Sequence, residues 1–347
     1  MFKANQYDIG CDNPCFIIAE AGVNHNGNLE IARQLIKVAA NAGTDAIKFQ
    51  TFQAEKLATV DAPKADYQKK TTAKQESQYG MLCRLELSAE AHRDLIATCE
   101  EKGILFLSSP FDEQSADFLE ELGVPAFKIP SGEITNLPFL QHIASKGKPL
   151  ILSTGMASIG EVEAAVQTIR ATGNPSLVLL HCVSNYPTDP VDVNLRAMQT
   201  MAAAFGVPVG FSDHTLGIEV ALAAVALGAC VIEKHFTLDR HLPGPDHQAS
   251  LEPQELASLV QGIRKVEAAL GHGRKEPAAS EARIAAVARK SLVAIQDIKA
   301  GTILTEELIA SRRPGTGIAP GMRSHLIGRT ARCFIPAGTA IAWEMLA

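Results

Sequence analysis

The sequence predicts a (β/α)8 TIM barrel followed by a small, turn-rich C-terminal domain. Three observations carry this. Short apolar runs alternate with amphipathic stretches eight times between Phe16 and about Leu270, the pattern of βαβ units around a parallel sheet. Each unit takes about 32 residues, and eight such units close a barrel of about 250 residues. Nearly every run ends in a functional side chain, as strands do when their C-terminal ends converge on one catalytic mouth. An open, doubly wound sheet is the competing architecture, but the first run is not followed by G-x-G-x-x-G.

The first run, FIIAE (16–20), ends in Glu20 and precedes a helix over 28–42. AIKFQ (46–50) brings Lys48 and Gln50, with a helix at 88–102. ILFLSS (104–109) ends in Ser108 and Ser109, then a helix at 114–122. AFKIPS (126–131) carries Lys128 and Ser131, before a helix at 136–146. LILST (150–154) carries Ser153, before 159–172. LVLLHC (177–182) brings His181, with Ser184 just beyond, before 192–205. VPVGFSD (207–213) ends in Ser212 and Asp213, with His214 next, before 217–228. CVIEKH (230–235) ends in His235, before 253–270. The barrel is therefore assigned to 1–270 and a polar, then Ala-rich linker to 271–288. From 289 to 347 the runs are short, Gly and Pro turns recur, and IKAGTIL and IPAGTAI, starting at Ile298 and Ile335, resemble each other.

Composition narrows the class. Of 347 residues, 46% are hydrophobic and 20% charged, which excludes disorder, collagen and coiled coil as whole-chain answers. The longest nearly apolar run, Val220 to Ile232, has 13 residues, short of the ~18 a membrane span needs. No apolar signal core is visible in MFKANQYDIG. Seven scattered cysteines without Cys-x-x-Cys argue for free thiols rather than disulfides or structural zinc. The expectation is a cytoplasmic protein with no membrane partner. A net charge of −6 argues against nucleic acid. Residues 289–347 nevertheless carry +4 and the rest −10, which suits a small cationic domain that docks on an acidic body or meets an anion.

The run ends carry the chemistry. His214 and His235 close consecutive runs and would be rim neighbours, suited to a divalent transition ion in an open site. His25 and His181 read as supporting or structural histidines. Lys48, Lys128, Ser109, Ser131, Ser153, Ser184 and Ser212 would ring the same mouth and suit a phosphate or carboxylate; no Walker A sequence is present. Glu20, Glu133 and Asp246 are rim carboxylates whose roles as base, metal-shell ligand or hydroxyl acceptor stay open.

Ten ordered motifs, AEAGVNHNG, AIKFQTF, LSSPFD, KIPSGE, ILSTGM, LLHCVSNYPT, GFSDHTLG, IEKHFTLDR, GPDH and RRPGTGI, resemble the sialic acid synthase family over essentially the whole chain. The resemblance implies a (β/α)8 barrel joined to an antifreeze-like (SAF) domain. It also implies a reaction: phosphoenolpyruvate condenses with an open-chain N-acetylmannosamine-type sugar, giving a nine-carbon 2-keto acid and phosphate by C–O cleavage. A divalent metal, Mn2+ first and Mg2+ or Co2+ after it, would assist. By the same resemblance His214 and His235 hold the metal. Lys48, Ser109, Lys128, Ser131, Ser153 and Ser212 contact phosphoenolpyruvate, as does Ser184, although the family often has Asn or Thr there. Glu133 handles the proton or water step, and Glu20 lies near the metal shell. Gln50, Tyr186 and Asp246 contact the sugar. Arg313 reaches its acetamido group from the partner chain of a swapped homodimer. N-acetylneuraminate synthesis is the first expectation. The alternative is a legionaminic, less readily a pseudaminic, acid synthase using a 2,4-diacetamido-trideoxyhexose; HQASLEP after GPDH leans away from the pseudaminic product. A metal-free Schiff-base aldolase using Lys48 or Lys128 is the rival chemistry, and a carbohydrate- or ice-binding protein the non-enzymatic one.

Overall fold

A computed structural model describes residues 2–10, 12–72, 76–174 and 176–347. The chain divides into two units, Met1–Gly271 and His272–Ala347.

The first unit opens with an antiparallel hairpin, β1 (Phe2–Ala4) and β2 (Tyr7–Ile9). Eight parallel strands follow: β3 (Phe16–Gly22), β4 (Ala46–Thr51), β5 (Leu105–Pro110), β6 (Phe127–Ile129), β7 (Leu150–Ser153), β8 (Leu177–Cys182), β9 (Val209–Asp213) and β10 (Val231–His235). Their order is β5-β4-β3-β10-β9-β8-β7-β6. The two ends of that order, β5 and β6, also lie side by side, so the sheet curls into a nearly closed TIM-like barrel. The helices outside it are α1 (Leu29–Ala42), α2 (Ala54–Leu57), α3 (Asp66–Thr71), α4 (Gln78–Leu85), α5 (Ala89–Lys102), α6 (Glu113–Glu121), α7 (Leu137–Ser145), α8 (Ile159–Ala171), α9 (Pro190–Val193), α10 (Arg196–Phe205), α11 (Glu219–Ala226) and α12 (Pro253–Leu270).

Local chemistry sets these boundaries. Asn28 caps α1 by accepting from the Glu30 and Ile31 amides, and Gly43 ends it at φ 81°, where a left-handed residue satisfies the last carbonyls. Ala32, Leu35, Ile36 and Ala39 form its buried stripe. Along the strands one set of residues faces the helices, including Ile17, Phe49, Leu179 and Ile232. The alternate set fills the barrel interior, including Phe16, Ile18, Leu107, Val178 and Val231. The hairpin closes the N-terminal end: Ile9 joins the interior cluster, and Tyr7 meets Phe16 edge-on at 5.1 Å. The polar strand ends are left to line the other mouth.

Two features depart from the sequence expectation. The helix expected at 192–205 is split, because Asn194 takes a left-handed φ of 51° between α9 and α10. Three short helices, α2 to α4, occupy the segment between β4 and α5, a stretch with no clear hydrophobic period.

In the second unit α13 (Ala282–Ala288) falls within the stretch expected to be a linker. The Ala286 carbonyl accepts from the Gly315 amide, which ties α13 to the chain beyond residue 289. β11 (Ser291–Ala294) pairs antiparallel with β12 (Ile309–Arg312), and α14 (Arg323–Leu326) completes the elements. Ile298 bridges Ile335, so the two similar sequence stretches pair with each other around a core of Leu292, Leu304, Ile309 and Ile341. Cys15, Cys83, Cys99, Cys182 and Cys333 are free thiols; Cys11 lies outside the described residues. No helix among the described residues is long and apolar enough to cross a membrane.

Candidate active site

The inward positions at the C-terminal strand ends converge on a cavity of about 410 Å³. Three groups of side chains build it.

The first is a buried charge cluster. Lys48 Nζ lies 2.8 Å from Glu20 Oε2 and 3.7 Å from Glu233 Oε2, and donates to Ser109 Oγ at 3.0 Å. Lys128 Nζ lies 3.4 Å from Glu233 Oε1, which also accepts from Ser212 Oγ at 3.0 Å. Burial would lower Lys48, but Glu20 and Glu233 outweigh it and hold the ammonium above its usual range. Burial outweighs Glu233 at Lys128 and holds that one below. Burial, reinforced by Glu233, pushes the Glu20 carboxyl up to about 7 against the pull of Lys48. At Glu233 burial acts upward, but Lys128 and Lys48 together hold it below the usual carboxylate range.

The second group is a hydroxyl cradle. Ser131 Oγ accepts from the Gly155 amide at 3.0 Å and lies 3.6 Å from Cys182 Sγ. A Cβ on residue 155 would stand 2.3 Å from Ser184 Oγ, 2.8 Å from Ser131 Oγ and 3.2 Å from Cys182 Sγ. Only glycine leaves this concavity open. Ser153 Oγ is buried with no hydrogen-bond partner, and such a group calls for a ligand or water to complete it. Beside two ammonium groups, the cradle suits an anion.

The third group is a pair of imidazoles. His214 follows β9, His235 ends β10, and their rings lie 5.4 Å apart. His214 Nδ1 bonds the Val183 carbonyl at 2.7 Å, which directs Nε2 to the cavity. His235 Nδ1 is buried without a hydrogen-bond partner, and Asp246 Oδ2 stands 3.9 Å away. Burial and the charges of His214 and the nearby lysines hold His235 well below its ordinary pKa, so the ring is neutral, the form that ligates metal. Burial lifts Asp246 to about 6. Among the described residues no three His, Cys, Asp or Glu side chains form a metal cage. Two adjacent imidazoles, one of them neutral and with an orphaned nitrogen, fit a divalent ion whose remaining positions are open to water and substrate oxygens.

Tyr186 packs its ring 4.1 Å from that of His214 and 5.5 Å from that of His235. Gln50 borders the same cavity. Gly22, at φ +51°, lets Glu20, Gln50 and His235 crowd together, since a Cβ there would meet all three within 3.6 Å. One expected residue stands apart. Glu133 is not among the lining residues, and its carboxylate accepts from Asn136 Nδ2 at 2.8 Å. Arg313 belongs to the second unit, where its Nε donates to the Ala288 carbonyl at 2.9 Å. His181 faces away from the cavity, onto Phe211 and the Val193 carbonyl, and His25 accepts from the Gly27 amide. Sequence reasoning missed Glu233, Cys182 and Gly155. The first two were within reach of the period-two rule, because Glu233 shares its face of β10 with His235.

The NeuB family model matches residues 35–275, and the SAF domain model matches 289–347. An N,N'-diacetyllegionaminic acid synthase of Legionella pneumophila is 52% identical over 96% of this chain and 95% of its own. Human N-acetylneuraminate-9-phosphate synthase is 42% identical over 87% and 84%. The crystal structure of an N-acetylneuraminic acid synthetase from Leptospira borgpetersenii superposes with a TM-score of 0.72 at 40% identity, covering 82% of this chain and 94% of that one. The chain therefore belongs to the NeuB family of sialic acid synthases, with a C-terminal SAF domain.

Proposed function

We propose that the protein condenses phosphoenolpyruvate with an open-chain 2,4-diacetamido-2,4,6-trideoxyhexose, as an N,N'-diacetyllegionaminic acid synthase. The observation that carries the chemistry is the convergence of two buried ammonium groups and an open hydroxyl cradle on a cavity edged by two adjacent imidazoles. The choice of sugar rests on the relatives. Legionaminic acid synthases from two organisms share 52% identity with this chain over more than nine-tenths of its length, against 42% for the human N-acetylneuraminate-9-phosphate synthase. That ordering favours the diacetamido sugar over the N-acetylmannosamine first expected.

In this reading Lys48, Lys128, Ser109 and Ser212 hold the carboxylate and phosphate of phosphoenolpyruvate together with Ser131, Ser153 and Ser184. Gln50, Tyr186 and Asp246 orient the sugar. C3 of the enol attacks the aldehyde carbon, water adds at C2, and the C2–O bond breaks to release phosphate. His214 and His235 would hold a divalent ion, Mn2+ first, which when bound supplies Lewis-acid polarisation of the aldehyde oxygen. Near neutral pH the Glu20 carboxyl can both give and take a proton, so it suits the developing alkoxide. Lys48 is pinned as a cation by Glu20 and Glu233, which suits an anion anchor and not a Schiff-base nucleophile.

The test is incubation with phosphoenolpyruvate, Mn2+ and a panel of 2-acetamido and 2,4-diacetamido sugars, read by phosphate release and product mass. Fastest turnover with the diacetamido sugar, abolished by chelation, is expected. Equal or better turnover with N-acetylmannosamine would return the reading to neuraminate synthesis, and full activity in chelator would remove the metal.

A further inference from the structure

The charge cluster, the cradle and the imidazoles line only part of the cavity. The cradle sits over β6, β7 and β8, and the imidazoles over β9 and β10. Glu20, Lys48, Gln50 and Ser109 come from β3, β4 and β5, and the remaining wall, supplied by the segments that follow β4 and β5, is apolar. Leu57 of α2, Met81, Leu82 and Leu85 of α4, and Phe111 just past β5 all line it. These side chains belong to one hydrophobic cluster, in which Met81, Leu82 and Leu85 are buried and Leu57 and Phe111 half-buried. Gln68 and Gln78 line the same cavity from α3 and α4.

We propose that this apolar arm, with its two carboxamides, is the sugar-specificity site: it takes the terminal methyl and the second acetamido group of the acceptor hexose. The inference rests on the legionaminic acid synthase reading and adds the residues that choose the sugar.

The chemistry of the wall excludes the other ligands. Neither end of phosphoenolpyruvate suits it, because a phosphate or carboxylate set against Leu82 and Phe111 would lose its water and gain no donor. A fully hydroxylated sugar tail meets the same penalty, one unpaired hydroxyl at a time. A methyl in place of a hydroxymethyl gains burial instead. The second acetamido group has an apolar methyl for the wall and an amide for the glutamines, whose carboxamides both donate and accept. Gln68 already uses its oxygen to accept from the Ala65 amide at 3.0 Å, which orients its NH2 as the donor.

The experiment measures the ratio of kcat/KM for the 2,4-diacetamido-2,4,6-trideoxyhexose over that for N-acetylmannosamine. It uses the full-length metal-loaded protein and the variants Leu82→Asn and Phe111→Tyr, with the phosphoenolpyruvate KM as internal control. The wild type should prefer the diacetamido sugar by roughly a hundredfold. Each variant should cut that preference about tenfold, the scale on which one group in an apolar pocket discriminates, with the phosphoenolpyruvate KM changed less than about threefold. Phe111→Tyr adds one hydroxyl at a half-buried position, so it decides the matter even if Leu82→Asn fails to fold. A wild-type preference left intact in the folded variants overturns the specificity site and leaves the proposed reaction standing. A wild type that prefers N-acetylmannosamine overturns both.

Discussion

Glu233 pairs with two buried lysines, Lys48 and Lys128. Its Oε1 stands 3.4 Å from Lys128 and accepts from Ser212, while Oε2 lies 3.7 Å from Lys48. A carboxylate in that position neutralises two ammonium groups while the cavity is empty and fixes where they point when an anion arrives. Glu233→Gln keeps the shape and removes the charge. Breaking a buried pair from one side typically costs about 3–5 kcal/mol, so the variant should melt well below the wild type. Phosphoenolpyruvate supplies the missing negative charge, and it should raise the variant's Tm by more than the wild type's; a thermal shift series over ligand concentration checks this. Equal ligand shifts in both proteins would mean that Glu233 does not balance the anion-binding lysines. The same residue shows how far sequence reading reaches. Lys48, Lys128 and Ser212 were legible because each stands at or near the end of an apolar run. Glu233 stands inside its run, two residues before a more conspicuous histidine, and only the alternation of faces gives it away. Glu133 was read from its motif, and in the fold one of its carboxylate oxygens accepts from Asn136.

At the scale of elements, the eight strands fall where the apolar runs lie because buried parallel strands read as continuous hydrophobic stretches. The helices α2 to α4 were not legible. They are four to eight residues long, too short for a 3.6-residue period to emerge, and apolar side chains of α2 and α4 line the cavity as well as a core. The loops that follow β3 and β10 make a separate prediction. His247 bonds Thr237 Oγ1 at 2.6 Å and Asn26 Nδ2 at 3.1 Å, and so ties the two loops together. His25 accepts from the Gly27 amide at 3.0 Å. Burial holds each of these histidines down at about 4, below the ordinary 6.5. The unfolded chain therefore takes up protons near pH 6.5 that the folded chain refuses. Their contribution is complete above about 6.5 and is lost as the pH falls through about 4, up to about 3 kcal/mol for each ring. Thermal melts from pH 8 to 4.5 should show this fall, and His247→Gln, which preserves both hydrogen-bonding roles without titrating, should remove roughly half of it. An unchanged slope in that variant would place the acid sensitivity elsewhere.

At the scale of the whole molecule, the chain is a barrel unit of acidic balance followed by a cationic SAF domain, residues 289–347 carrying +4 against −10 for the rest. The change of texture at 289 made the second domain legible. Within the stretch read as a linker, 282–288 is a helix whose Ala286 carbonyl accepts from the Gly315 amide. The resemblance that gave Arg313 its role gives it in trans, with the partner subunit's Arg313 meeting the sugar's acetamido group. Within its own unit the Arg313 Nε donates to the Ala288 carbonyl, and because a guanidinium has five N–H donors, that bond leaves others to offer. A site completed by a second chain makes a demand that no self-contained site makes. Arg313→Ala should raise the sugar KM about tenfold or more with the phosphoenolpyruvate KM little changed, because a charge-assisted hydrogen bond to one substrate is lost. His235→Ala should be inactive through loss of an imidazole from the barrel. If the site is shared in this way, the two variants co-expressed would form mixed dimers in which one barrel is intact and faces an intact arginine. Activity at low sugar concentration should then recover to as much as a quarter of wild type, on the statistics of random pairing with one competent site in half of the dimers. Purified mixtures kept from exchanging subunits should recover none, and a co-expressed pair that stays as inactive as its parents would show that each chain completes its own site.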